Sequence, residues 1–66
     1  MKWPNPTGSV QRSSDETYLI VQANSMDWVA YYMPRGEPVE EIAVRPNDES
    51  ARKACDDHAI TISRRV

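Results

Sequence analysis

Cys55 and His58 are the side chains in this sequence best suited to chemistry, and they stand three residues apart. On a helix that spacing makes them neighbours. A thiol beside an imidazole can be half of a zinc site, or a nucleophile with its base. Structural zinc takes four ligands, and the chain holds one Cys and one His. A tetrahedral site would therefore need Asp57, which falls elsewhere around a helix, or a symmetric dimer that pools two Cys and two His. A nucleophilic dyad would need a concave pocket and a set of oxyanion donors, which a chain of 66 residues barely encloses. The simpler expectation is that Cys55 is a small buried hydrophobe and His58 a residue at the edge of the core. No catalytic residue, metal or cofactor is expected, and the chain does not read as an enzyme.

The carboxylates offer less. Glu37, Glu40 and Glu41 cluster around a hairpin, and Asp56 and Asp57 lie on the C-terminal element. Both groups read as solvated faces. The functional alternative is an acidic rim that meets a basic partner and speeds association. Glu40 and Glu41 also suit an edge strand that must avoid unwanted pairing. With Gly8 and Gly36 the only glycines, no glycine-rich phosphate loop can form. Arg64-Arg65 is too short for a nucleic-acid patch and reads as charge placed at a helix C-terminus.

Eight basic residues face ten acidic ones, for a net charge of −2. That balance disfavours a general nucleic-acid binder, which carries a basic stripe to displace phosphate counterions. The longest apolar run, Tyr18-Leu19-Ile20-Val21, falls far short of the roughly 18 residues of a membrane span. Met1-Lys2-Trp3-Pro4 is followed by no apolar core of a secretory signal. With a lone thiol, this leads to the expectation of a cytoplasmic protein.

The elements that position these residues follow from pattern. Residues 1–14, rich in Pro, Gly and Ser, read as a flexible tail. Trp3 is the one member able to latch onto the rest. Residues 16–23 are rich in β-branched and aromatic types and read as a strand. Asn24-Ser25-Met26-Asp27 is a turn. Residues 28–33 form a second strand, and the prolines and glycine of 34–38 end it. Residues 39–45 form a third. Short connections make the three an antiparallel meander. From Asn47 or Asp48 onward the chain reads as helix. A short acceptor caps it, acids lie at its start, and Asp48/Arg52 and Glu49/Lys53 are i,i+4 pairs. Ala51, Ala54, Cys55, His58, Ala59 and Ile62 give it one narrow face. The β-branched Ile60-Thr61-Ile62 leaves a fourth strand over 60–66 as the rival reading.

The expected fold class is α+β, with residues 15–66 forming a three-stranded antiparallel sheet and one C-terminal helix packed on one face. Leu19, Val21, Trp28, Ala30, Ile42 and Val44 are assigned to the face under the helix. Tyr18, Ile20, Val29, Tyr31, Met33 and Ala43 then lie on the other face, which is too apolar for plain solvated surface. A core of this size supplies roughly 3–5 kcal/mol, and no disulfide is available to add to it. Association is the expected support, either as a homodimer through the uncovered face or with another protein.

Trp28-x-Ala30 in one strand and Ala51-Arg52-Lys53-Ala54-Cys55-Asp56-Asp57-His58 in the helix resemble a Trp-x-Ala … Ala-Lys-x-Ala-Cys-x-x-His pattern carried by small uncharacterised accessory proteins of bacteriophages and prophages. The resemblance spans about residues 17–65. It implies a compact sheet-plus-helix protein that works by stoichiometric binding to a host protein or complex, for example as an anti-CRISPR-like inhibitor of a defence complex. Together with the face assignment, this makes Tyr18, Tyr31, Met33, Glu40 and Glu41 the expected partner-binding residues. The alternative is a small nucleic-acid-associated regulator, for which Arg12, Arg35, Arg45 and Lys53 would have to converge.

Overall fold

The computed structural model describes residues 2–4 and 8–63. Four strands precede one helix: β1 Val10–Arg12, β2 Tyr18–Asn24, β3 Asp27–Tyr32, β4 Glu40–Arg45 and α1 Asp48–Ser63. The strands form one antiparallel sheet in the order β1-β2-β3-β4, and α1 packs across β2, β3 and β4. The α+β class and the C-terminal helix are as expected, but the sheet has four strands where three were expected. The extra strand, β1, lies within the stretch read as tail.

β1 escapes a reading by composition because its inward residue is polar. Gln11 is only 3% exposed. A buried amide is costly unless its hydrogen bonds are made, and Gln11 makes three. Its Nε2 donates to the Gly8 carbonyl and to Asp48 Oδ2, both at 3.2 Å. Its Oε1 accepts from Arg52 Nη1 at 2.7 Å. Arg52 also reaches Asp48 Oδ2 at 3.1 Å. The first turn of α1 thereby holds β1 against the sheet. Upstream, the Ser14 amide donates to the Lys2 carbonyl at 2.9 Å, and Trp3 packs half-buried against the core.

The β1–β2 turn is built by short side chains. Ser13, 2% exposed, accepts from the Tyr18 amide at 3.0 Å and donates to Asp15 at 2.7 Å. Asp15 accepts from the Thr17 amide at 3.1 Å, and Glu16 takes the left-handed conformation at φ 60. In the next turn Asn24 accepts from the Met26 amide and donates to Asp27. Asn47 caps α1, its side chain accepting from the Ser50 amide at 2.8 Å, a contact worth about 1 kcal/mol. The expected Asp48–Arg52 pair forms. Lys53 stands 3.7 Å from Asp57, rather than beside Glu49. Ile60-Thr61-Ile62 is helical, so the rival fourth strand over 60–66 does not form there. Thr61 offsets its branching by donating its hydroxyl to the Asp57 carbonyl at 3.0 Å. Arg64 and Arg65 lie outside the described residues.

The face assignment needs correction in β2 and β4. Register pairs Tyr18 with Tyr32, Ile20 with Ala30 and Gln22 with Trp28. Cross-strand partners share a face. Tyr18 and Ile20 therefore lie with Trp28 and Ala30 under the helix, and Leu19 and Val21 lie outside. One residue of offset reverses a whole strand. In β4 the register shifts between Ala30 and Tyr31. The shift sets Ala43 opposite Ala30 and Val44 opposite Val29, so Val44 faces outward and is 48% exposed. Ile42, the residue accommodated by the shift, packs against the core as expected. The buried apolar set is Tyr18, Ile20, Trp28, Ala30, Ala51 and Cys55.

Two tests follow from this packing. Ile20→Val will cost about 0.5–1.5 kcal/mol. Val21→Ala removes more carbon from the open face yet will cost less, as read by urea denaturation. Asp48 is held below the usual carboxylate range, first by the Gln11 amide and then by Arg52, with burial opposing. Its contribution is present above the unfolded value of 3.8 and is lost as pH falls through the lower folded value. Acid unfolding of Asp48→Ala will accordingly lack a component seen below 3.8 in the parent protein.

Candidate protein interface

Cys55 and His58 do adjoin the core, and their surroundings show what they can do. Cys55 is fully buried, and burial, with Asp56 as a smaller cause, pushes its thiol up to about 12. A thiol held so far above neutrality is neither a nucleophile nor a ready metal ligand. His58 is engaged instead with tyrosine: its Nδ1 lies 2.7 Å from the Tyr18 hydroxyl. With the imidazole proton on Nε2, that hydroxyl donates to Nδ1. Tyr18 keeps its proton, since burial first and Tyr32 second push it up to about 12. The His58 ring meets Tyr18 edge-on at 5.6 Å and Tyr32 at 4.8 Å between centroids, and the two tyrosines are 5.1 Å apart. This aromatic group closes one end of the core under the helix. Among the described residues no three His, Cys, Asp or Glu side chains gather to hold a metal ion.

The other side of the sheet is built differently. Register joins Val10 to Val21, Val21 to Val29 and Val29 to Val44. Four valines thus form one row across all four strands on the face away from the helix. The outermost two are 52% and 48% exposed. The adjacent row on the same face runs Arg12, Leu19, Tyr31, Glu41. Its middle is apolar and half-buried, and its two ends are exposed and oppositely charged. Valine rows of this kind fit a pleated surface that packs on another apolar surface.

Of the residues expected to bind a partner, Tyr31 lies centrally on this face. Glu41 stands at its β4 edge. Glu40 pairs with Tyr32 and so belongs to the helix side, where it is exposed. Met33 lies just past β3, half-buried, its amide donating to the Thr17 carbonyl at 2.7 Å. Tyr18, 3% exposed, sits beneath the helix and is unavailable as a contact. Reading the register correctly would have exchanged Tyr18 for Val10, Leu19, Val21 and Val44, because the alternation of β2 alone does not say which set faces the helix.

Of the four cations of the nucleic-acid reading, Arg12 and Arg45 do not converge. Arg12 is on the open face of β1. Arg45 lies at the opposite edge and on the opposite face, across from Trp28. Lys53 is on α1 beside Asp57. Among the described residues, no helix is long and apolar enough to cross a membrane. Comparison with family models, curated proteins and solved structures finds no match to the chain.

The buried thiol gives a direct check on this division between a structural core and an exposed face. Cys55 in the native protein at mildly alkaline pH will be protected from a thiol reagent such as a disulfide dye. It will react fully once denaturant unfolds the chain. Rapid native reaction would show that α1 does not cover it.

Proposed function

We propose that the protein is a non-enzymatic binding domain, and that the face of its sheet away from the helix is the surface through which it associates with protein. The observation that carries this reading is the row Val10, Val21, Val29, Val44, continuous across the sheet and left uncovered by α1. Apolar rows in an antiparallel sheet ordinarily face a core, and polar residues face water. Here both faces carry apolar rows, and among the described residues only one is covered by a helix. Exposed apolar surface of this kind marks an interaction site, with Tyr31 at its centre as a typical interface residue. Cys55 is fully buried and His58 is engaged with the Tyr18 hydroxyl, which supports a binding role over chemistry at this pair. The proposed role is stoichiometric binding in a host cell's cytoplasm, as an inhibitor or adaptor of a host protein or defence complex. That role rests on the resemblance to phage accessory proteins.

The test is a comparison of three immobilised baits, the parent protein, Tyr31→Ala and Val29→Lys, each exposed to nuclease-treated bacterial lysate. All three will keep the parent circular dichroism spectrum, since both positions lie outside the buried core. The parent will retain a protein at near-equal stoichiometry. Tyr31→Ala will retain several-fold less, and Val29→Lys essentially none. Equal retention by all three baits, or recovery of nucleic acid alone, would contradict the reading.

A further inference from the structure

The charges at the two ends of the open face identify what can cover it. Arg12 and Glu41 occupy the same row, on the first and last strands of the sheet, and both are exposed. Among the described residues the ion pairs are Arg52–Asp48 and Lys53–Asp57, so neither end of this row is ion-paired with another described residue. The face therefore carries an apolar centre, a cation on one flank and an anion on the other. Such a pattern is complementary to itself under one rotation. A two-fold axis lying between two facing sheets, parallel to the strands and midway between β2 and β3, exchanges the flanks and keeps the rows in register. It sets Val10 over the partner's Val44 and Val21 over the partner's Val29. It also sets Arg12 over the partner's Glu41, and Glu41 over the partner's Arg12. The other face-to-face two-fold, running across the strands along this row, lays β1 on β1 and β4 on β4. It brings arginine to arginine and glutamate to glutamate, which is destabilising.

We propose that a second copy of this chain occupies the open face. The assembly is a two-fold, face-to-face sheet sandwich about an axis parallel to the strands, held at its centre by the valine rows and at both flanks by Arg12–Glu41 pairs. This rests on the open face being a protein contact, and it specifies the first occupant of that face. A host protein that takes the same face does so in competition with the second copy. The geometry suits aligned sheet packing, in which the strands of the two layers cross at about 30° and lie about 10 Å apart. The interface itself is small. Four strands at spacings of about 4.8 Å, three of them about 20 Å long and the three-residue β1 about half that, present on the order of 300 Å² in projection. That is well under the roughly 800 Å² per partner of a standard stable interface. The dimer is accordingly reversible, and it weakens as salt screens the flanking pairs.

Sedimentation of the full chain from low micromolar to near-millimolar concentration tests this, using Arg12→Glu, Glu41→Arg, the variant carrying both changes, and an equimolar mixture of the two single variants. Both positions are exposed, so each variant will keep the parent circular dichroism spectrum. The parent will shift from monomer to dimer. Each single variant turns both attractions into repulsions and will dimerise at least about tenfold more weakly. The doubly changed chain restores opposite charges at both flanks and will dimerise like the parent. The mixture will form the heterodimer, in which Glu at position 12 faces Arg at position 41 at one flank and the native pair stands at the other. A parent that stays monomeric throughout would overturn the dimer. If Val29→Lys still lost a lysate protein in that case, the face would stand as a contact for another protein. A parent that dimerises with no response to charge reversal, or single variants that remain monomeric on mixing, would overturn the two-fold arrangement.

Discussion

Where α1 crosses the sheet, Ala51 and Cys55 present small side chains to Ile20 and Ala30, and all four are fully buried. The close approach these small groups allow sets the geometry around them. Trp28 and Tyr18 fill the space on either side, and His58 and Tyr32 close one end against the Tyr18 ring. Among the described residues α1 is the one helix, and it covers one face of the sheet and leaves the other open. The unpartnered valine row is thus a consequence of the same packing that makes the core.

The buried polar network at the start of α1 serves the open face as well as the core. Gln11 points inward to Asp48 and Arg52, so its neighbours Val10 and Arg12 must point outward. β1 is three residues long, and its own ladder with β2 is correspondingly short. The side-chain hydrogen bonds from Gln11 anchor it at the other side. A strand held in this way extends the apolar row by one valine and adds the cation at its end.

Much of the architecture was legible in the sequence. The aromatic and β-branched composition of β2 and β3, the proline and glycine stop after β3, and the asparagine cap of α1 each act locally, and each appears where expected. Two features were not legible, for a common physical reason. β1 carries a buried glutamine whose stability depends on groups 37 and 41 residues away, and no local pattern announces such a partner. The faces of β2 and β4 depend on register, which is set by pairing across strands and by the irregularity at Ile42. Leu19 and Val21 are as apolar as Tyr18 and Ile20, so alternation within β2 is symmetric between the two answers. The expectation of a second apolar face held, with different residues on it. Tyr31 belongs to it as expected, whereas Tyr18 supports the core.

The most direct measurement is a methyl NMR dilution series on protein labelled at Ile, Leu and Val. The methyl signals of Val10, Val21, Val29, Val44 and Leu19 should shift or broaden as concentration rises, while Ile20, beneath the helix, stays fixed. Changes confined to Ile20 and the helix methyls, with the valine row unmoved, would contradict the assignment of the open sheet face as the interface.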